Sequence, residues 1–135
     1  MEELIALALE ARLKSYSPYS GFAVGAALRT KSGKIYTGTN VENAAFAPTN
    51  CAERTAFFKA VSEGETEFSE IAIVGGKVGA DPSEYVTPCG VCRQVMREFC
   101  DDEFEIIVGK SAEEYTVYKL PELLPCGFGP DDLNK

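Results

Sequence analysis

The residues of this chain that are best suited to chemistry lie in two short cysteine motifs. The first reads C-A-E-R and places Glu53 two positions after Cys51. The second reads P-C-G-V-C-R-Q and contains Cys89 and Cys92 in C-x-x-C spacing. Thiolates bind zinc, and three protein ligands leave a fourth coordination position free for water. If the fold brings the two motifs together, this pattern indicates a catalytic zinc site with Glu53 as a candidate acid/base group beside it.

The absence of histidine narrows the chemistry further, because none of the 135 residues carries an imidazole. Serine or cysteine hydrolysis through an imidazole base is excluded, and a metal must be bound by Cys, Asp, Glu or backbone oxygen. The five cysteines are an odd number, which argues against a disulfide framework in a cytoplasmic chain. We therefore expect reduced thiols or thiolate ligands.

Composition predicts one compact domain over residues 1–135. Hydrophobic side chains make up 45% of the chain and charged ones 25%, which is typical of a globular domain with a core. No apolar run approaches the roughly 20 residues of a membrane span, and the N-terminus lacks a basic signal segment. The net charge of −8, from 13 basic and 21 acidic side chains, disfavours nucleic acid. We expect a cytoplasmic protein with a small-molecule substrate and no membrane partner.

The cysteine motifs need structural elements that bring them together, and the hydrophobic pattern predicts alternating helices and strands. The predicted helices cover residues 2–14, 52–62 and 89–99. The predicted strands cover residues 23–30, 35–41, 71–74 and 104–108, with a fifth around Val117. Two of the helices therefore begin at a cysteine motif.

The order of these elements predicts an α/β fold. The strand, helix and strand within residues 71–108 form a βαβ unit with parallel strands and a right-handed crossover. The link after Gly109 is too short for another crossover, so the strand around Val117 should return antiparallel. The result is a mixed five-stranded sheet with helices on both faces, in three α/β/α layers. If both cysteine-bearing helix N-termini point at one spot, their positive potential favours thiolates around one ion.

At this level of detail the chain resembles the small zinc-dependent cytidine deaminases of the homotetrameric type. C-A-E-R and P-C-G-V-C-R-Q are similar to the two zinc motifs of that family. Three more blocks resemble family blocks in matching order: Y-S-P-Y-S-G-F-A-V-G-A-A-L (16–28), N-V-E-N-A-A-F (40–46) and L-L-P-C-G-F-G-P (123–130). The resemblance implies a cytidine-deaminase-like fold, one Zn²⁺ per subunit and a homotetramer with sites shared between subunits. It also implies hydrolytic deamination of cytidine and deoxycytidine in pyrimidine salvage.

The chemistry and the resemblance together give roles to individual residues. Glu53 is expected to take a proton from water, deliver it to N3 of cytosine and later protonate the departing ammonia. By resemblance, Arg54 donates hydrogen bonds to the thiolates, which offsets the formal charge of −1 that three thiolates leave on a zinc site. The implied substrate contacts are Asn40 and Glu42 for the ribose hydroxyls, Phe22 for the base, the Ala52 backbone N–H for the pyrimidine oxygen, and Phe128 from a neighbouring subunit.

Alternative interpretations are open for each motif. Asn50 and Glu53 match a capping box, N-x-x-E, which needs no catalysis. C-x-x-C also occurs in thiol oxidoreductases. Cys100 or Cys126 as a fourth ligand would close a non-catalytic zinc site, although we expect Cys100 to be a small buried hydrophobic residue.

A closer alternative is a related enzyme that acts on a cytosine-bearing antibiotic or on a free base. The N-V-E-N block and the F-G-P ending favour a ribosyl substrate. A polynucleotide substrate is disfavoured by the acidic composition and the small size of the chain.

Overall fold

The structure is a computed structural model that describes residues 1–134, with Lys135 outside the described residues. The helices are α1 (Glu2–Arg12), α2 (Ala52–Ser62), α3 (Gly90–Phe99), α4 (Leu120–Leu123) and α5 (Pro130–Leu133). The strands are β1 (Phe22–Thr30), β2 (Ile35–Thr39), β3 (Phe68–Lys77), β4 (Glu105–Ser111) and β5 (Glu114–Lys119). Over residues 1–134, none of the helices has the length and apolar character that a membrane crossing requires.

The five strands form one mixed sheet in the order β2-β1-β3-β4-β5. Strands β3 and β4 are parallel, and the other three pairs are antiparallel. This confirms the predicted βαβ unit and the antiparallel return of β5. Strand β3 is longer than the predicted 71–74 at both ends, because residues 68–70 and 75–77 also belong to the pairing with β1.

Helices cover both faces of the sheet, as predicted. Helices α2 and α3 pack on one face, where Phe57 and Met96 contact Ile71, Ile73 and their neighbours. Helix α1 packs alone on the other face through Leu4, Ile5 and Ala8, which meet Ala27, Ala72, Val74 and Ile107. The three-layer α/β/α arrangement therefore buries an apolar surface on each side of the sheet.

A glycine in β2 determines how closely α2 approaches the sheet. A Cβ atom at Gly38 would lie 2.4 Å from the Ala52 carbonyl oxygen and 2.6 Å from the Ala56 nitrogen. Both atoms are backbone, so only glycine allows the first turn of α2 to rest on β2 at this distance. This contact positions the start of α2, where Cys51 lies.

Candidate active site

Helices α2 and α3, which pack on the same face of the sheet, each begin at a cysteine. Cys51 is the N-cap of α2 and Cys89 is the N-cap of α3, and both have extended backbone angles. The Cys89 Sγ atom accepts a hydrogen bond from the Cys92 backbone N–H at 3.4 Å. Free N–H groups at a helix N-terminus create a positive potential that favours thiolates. The local structure therefore prepares both sites for metal binding.

The capping-box interpretation of Asn50 and Glu53 is wrong. The N-cap of α2 is Cys51, and it makes no side-chain capping hydrogen bond. The Asn50 amide instead donates to Thr55 Oγ1 at 3.2 Å. Because Glu53 has no capping partner at position 50, its carboxyl group is free to face the cysteines.

The sulfur atoms of Cys51, Cys89 and Cys92 lie close together. Cys51 Sγ lies 3.8 Å from Cys89 Sγ, and Cys89 Sγ lies 3.4 Å from Cys92 Sγ. All three lie within 4.8 Å of one another and none forms a disulfide. Thiolates bound to one tetrahedral zinc at about 2.3 Å would lie about 3.8 Å apart. The spacing fits a single zinc ion, and within residues 1–134 these three cysteines are the group that could bind it.

Neither remaining cysteine closes this cluster into a four-thiolate site. In residues 1–134 the metal-binding group consists of Cys51, Cys89 and Cys92. Cys100 is 8% exposed and packs in the core at the far end of α3, as expected for a small hydrophobic residue. Cys126 lies on the surface with a left-handed backbone at φ 55°. A fourth coordination position is thus left to a non-protein ligand.

Arg54 and the neighbouring thiols set the ionisation of the cluster. Hydrogen bonds from the Cys92 thiol and from Arg54 lower the pKa of Cys51 to about 5. The Arg54 guanidinium donates to Cys51 Sγ at 3.2 Å, as the resemblance implies. Because Cys92 donates to that thiolate and is itself buried, its pKa is raised. A lowered thiol pKa is thus found at Cys51, outside the C-x-x-C pair, and the thiol oxidoreductase interpretation gives Cys51 no role.

Glu53 is a buried carboxyl group beside the thiols. It lies in the first turn of α2 and is only 5% exposed. Burial raises the pKa of Glu53 to about 7, and the negative charge of Cys51 adds to the effect. A carboxyl group with a pKa near the working pH accepts and donates protons readily. Its environment therefore suits acid/base chemistry.

Cys51, Cys89 and Glu53 line a cavity of about 350 Å³, and Cys92 is buried beside it. Four of the predicted substrate contacts line the same cavity, namely Phe22, Asn40, Glu42 and Ala52. The cavity also contains residues that sequence reasoning missed: Ser20, Val24, Thr49, Asn50, Val86 and Thr87. A larger cleft of about 420 Å³, lined by residues of α1, β2 and α2, includes none of the three cysteines. Val86 and Thr87 directly precede the second cysteine motif, and this adjacency was the available signal.

Asn40 and Glu42 are anchored by the protein itself. The Asn40 Oδ1 atom accepts from the Val24 N–H at 2.8 Å and from Ser15 Oγ at 2.6 Å, and its Nδ2 donates to the Phe22 carbonyl at 2.8 Å. One Nδ2 hydrogen remains after these contacts. The Glu42 carboxylate accepts from Ser20 Oγ and from two backbone N–H groups. The Ser20 hydrogen bonds lower the pKa of Glu42, which therefore stays ionised.

Phe128 does not line the cavity of its own chain. Its ring is 59% exposed, and its carbonyl oxygen accepts a 2.7 Å hydrogen bond from Gln94 of α3. The neighbouring Arg93 donates to the carbonyls of Pro88 and Leu123, each at 2.7 Å. Helix α3 therefore fastens both the residue before Cys89 and the C-terminal segment that carries Phe128.

Three thiols and a buried carboxyl group at the end of an α/β/α sheet define a zinc-binding hydrolytic enzyme. Residues 1–108 match the profile of the family described as the cytidine and deoxycytidylate deaminase zinc-binding region. The chain is 48% identical to a cytidine deaminase of Sporosarcina psychrophila over 99% of this chain and 95% of that protein. It is 46% identical to a cytidine deaminase of Halalkalibacterium halodurans over 97% of this chain and 96% of that protein.

Solved structures of cytidine deaminases are also similar to this chain. The crystal structure of cytidine deaminase from Burkholderia pseudomallei is 44% identical, with a TM-score of 0.84 over 93% of this chain and 97% of that one. The crystal structure of cytidine deaminase from Mycobacterium tuberculosis is 36% identical, with a TM-score of 0.78 over 94% of this chain and 95% of that one. The chain belongs to the cytidine and deoxycytidylate deaminase family.

Proposed function

We propose that residues 1–135 form a single domain that hydrolyses cytidine and deoxycytidine to uridine and deoxyuridine, releasing ammonia. The observation that carries this proposal is the cluster of three thiols beside the buried Glu53 carboxyl group, at a cavity of about 350 Å³ that Cys51, Cys89 and Glu53 line. The names of the relatives support cytidine as a substrate. The deoxyribonucleoside and the role in cytoplasmic pyrimidine salvage are our extension of that support.

The thiol cluster is the proposed zinc site. Cys51, Cys89 and Cys92 would bind one ion per subunit, and their spacing fits tetrahedral thiolate coordination. When bound, zinc would lower the pKa of a water molecule in its fourth position. Arg54 offsets the charge of the three thiolates through its hydrogen bond to Cys51. In this proposal Arg54 adjusts the electrophilicity of the site without contacting the substrate.

Glu53 is the proposed proton carrier. It accepts a proton from the attacking water and donates it to N3 of cytosine as the C4–O bond forms. It then transfers the second water proton to the exocyclic nitrogen as the C4–N bond breaks and ammonia leaves. Water and cytidine are thereby converted to uridine and ammonia, with no redox change and no other reactant. Its pKa of about 7 in the unligated pocket matches both directions of transfer.

The remaining lining residues are proposed to orient the nucleoside. The ionised Glu42 and the remaining N–H of Asn40 suit ribose hydroxyl groups, which both donate and accept hydrogen bonds. The Phe22 ring offers an apolar wall to a flat base. The Ala52 N–H lies in the first turn of α2, has no partner within the helix, and is proposed to bind the pyrimidine oxygen.

We propose that four copies of the chain assemble and share their active sites. Phe128 is exposed and outside the cavity of its own chain, which supports its contribution to the site of a neighbour. Phe46, with 83% exposure, and Tyr19 are further aromatic side chains on the surface near the substrate residues. Assembly would cover these apolar groups. Sedimentation or mass photometry of the purified protein tests this part of the proposal.

The proposed reaction is tested with purified zinc-loaded protein and each nucleoside separately. The expected result is a decrease in absorbance near the cytosine band with release of one ammonia per nucleoside. Metal analysis of the same sample should give one zinc per chain. The Glu53→Gln variant should keep the zinc and lose nearly all turnover. Inertness of the zinc-loaded wild type toward both nucleosides would refute the proposal and favour a non-catalytic zinc module.

A further inference from the structure

One wall of the substrate cavity depends on a glycine that no motif marks. On β3, Ile71 and Ile73 point toward α2 and α3, and alternation along the strand places residue 75 next on the same face. That residue is Gly75, which pairs with Val24 of β1. The row of large inward side chains therefore stops at the point where the sheet reaches the cavity.

Three side chains of the cavity wall lie close to the position that a Cβ atom of residue 75 would take. A Cβ atom at Gly75 would lie 3.1 Å from Phe22 Cε2, 3.1 Å from Val86 Cγ2 and 3.2 Å from Val24 Cγ2. All three residues line the cavity. Because carbon atoms pack best at about 3.5–4.0 Å, an added methyl group would push these side chains by a few tenths of an ångström. Phe22 lines the cavity and is 36% exposed, so displacement of its ring away from Gly75 would narrow the cavity.

Gly75 differs in this respect from the glycines that permit close packing of the backbone. At Gly25 the nearest atom to an added Cβ is the Ala8 carbonyl oxygen, at 2.0 Å, and at Gly38 it is also a backbone oxygen. At Gly75 only side-chain atoms of the wall are near, and its backbone lies within the regular β1–β3 pairing. Alanine at Gly75 is therefore compatible with the fold, and its effect falls on the shape of the cavity.

The chemistry of cytosine indicates which edge of the base meets this wall. N1 carries the sugar, while the C2 oxygen, N3 and the C4 amine are polar or reacting groups. Only the C5–C6 edge suits contact with Phe22, Val24 and Val86, because these side chains offer no hydrogen bond. A substituent at C5 would therefore project toward these three side chains, which lie close to the Gly75 backbone because residue 75 has no Cβ atom.

We propose that Gly75 is a specificity-determining residue, which widens the apolar wall of the cavity and admits cytosine nucleosides that carry a small substituent at C5. This inference rests on the proposed deaminase function. An extra methyl group in an apolar pocket changes relative kcat/KM by about tenfold or more when the pocket cannot expand. Glycine at position 75 lets the three wall side chains lie further from the base, which removes that penalty.

The test compares kcat/KM for cytidine and 5-methylcytidine in the wild type and in Gly75→Ala. The expected result is a fall of about tenfold in the ratio of 5-methylcytidine to cytidine, caused mainly by KM. Gly109→Ala is the matched control, because its Cβ would meet only Ile5, at an ordinary 3.5 Å. That variant should keep the wild-type ratio. Zinc content and thermal unfolding show whether each variant is folded.

A second variant tests the same wall in the opposite direction. Val86→Ala removes one of the three contacts, so it should raise the ratio and partly restore it when combined with Gly75→Ala. An equal effect of Gly75→Ala on both substrates would overturn the inference while leaving the deaminase function intact. So would an unchanged ratio in Val86→Ala, should Gly75→Ala not fold. A wild type inactive on cytidine would instead refute the proposed function, and this inference with it.

Discussion

Replacing Glu53 by glutamine in the metal-free protein tests the electrostatics of the pocket directly. The folded-state pKa of Glu53 is about 7, compared with 4.5 for an exposed glutamate. A difference of about 2.5 units corresponds to roughly 3 kcal/mol between the protonated and ionised folded states. Glutamine has nearly the same shape and no charge, so it removes this pH-dependent free energy and leaves the packing largely intact.

The sign of the effect follows from the direction of the pKa shift. Because the folded pKa of Glu53 is raised, the group stabilises the fold fully below about pH 4.5, and this contribution is lost as the pH rises through about 7. The wild type should therefore lose roughly 3 kcal/mol relative to Glu53→Gln between pH 4.5 and pH 8. The Cys51 thiol titrates in both proteins, so the part of its pH dependence that does not involve Glu53 cancels in the comparison.

Urea unfolding of both metal-free proteins at pH 5 and pH 8 measures the difference. Glu63→Gln is the control, because Glu63 lies exposed at the opposite end of α2. That variant should follow the wild type at both pH values. The difference in unfolding free energy between the wild type and Glu53→Gln should change between pH 5 and pH 8. A constant difference would refute the conclusion that the pocket disfavours the charge of Glu53, from which we derive its role as proton carrier.

Four other perturbations test separate parts of the structure. Arg54→Ala should retain zinc but slow deamination by about tenfold, because the 3.2 Å hydrogen bond to Cys51 is lost; unchanged kinetics would show that Arg54 only packs. Arg93→Gln should speed zinc release into a chelator by about tenfold, because it frees the Pro88 carbonyl beside Cys89. Gly38→Ala should cost about 3 kcal/mol or more in unfolding experiments, whereas Gly109→Ala should cost little, since only the former meets backbone atoms. Zinc binding near pH 7 should release the Cys92 proton, which calorimetry in buffers of different ionisation enthalpy detects. For the same reason, the affinity for zinc should decrease as the pH is lowered.

The elements that position the site were largely predictable because their signals are local. Helix α2 matches the predicted residues 52–62, since a cysteine motif precedes it and Gly64, with φ 94°, follows it. The C-terminal part of β3 was missed because G-G-K resembles a loop, and only pairing with β1 makes it a strand. Helices α4 and α5, of four residues each, are too short for a periodic signal.

The site divides in the same way between local and long-range information. The approach of Cys51 to Cys89 could be anticipated because both motifs start helices, and the resemblance joins both motifs in one zinc site. The cavity wall made by Phe22, Val24 and Val86, and its contact with Gly75, could not be anticipated, because they depend on strand register and on the path of the 78–89 loop. Asn40 also has a structural role that sequence reasoning did not find. Its side-chain amide hydrogen-bonds to the backbone of Phe22 and Val24 and so joins β1 to the end of β2.

The two helix N-termini explain why the fold and the chemistry are inseparable in this chain. Cysteine is a weaker N-cap than serine, threonine, aspartate or asparagine, and Cys51 makes no side-chain capping hydrogen bond. The first turn of α2 is therefore left with free N–H groups, which attract thiolate charge and which the proposal assigns to the pyrimidine oxygen at Ala52. A better cap at position 51 would stabilise the helix and remove a metal ligand at the same time. Helix α2 therefore lacks the stabilisation of a side-chain cap, and its packing on the sheet stabilises it instead. That packing includes the close contact with Gly38 and the buried Phe57.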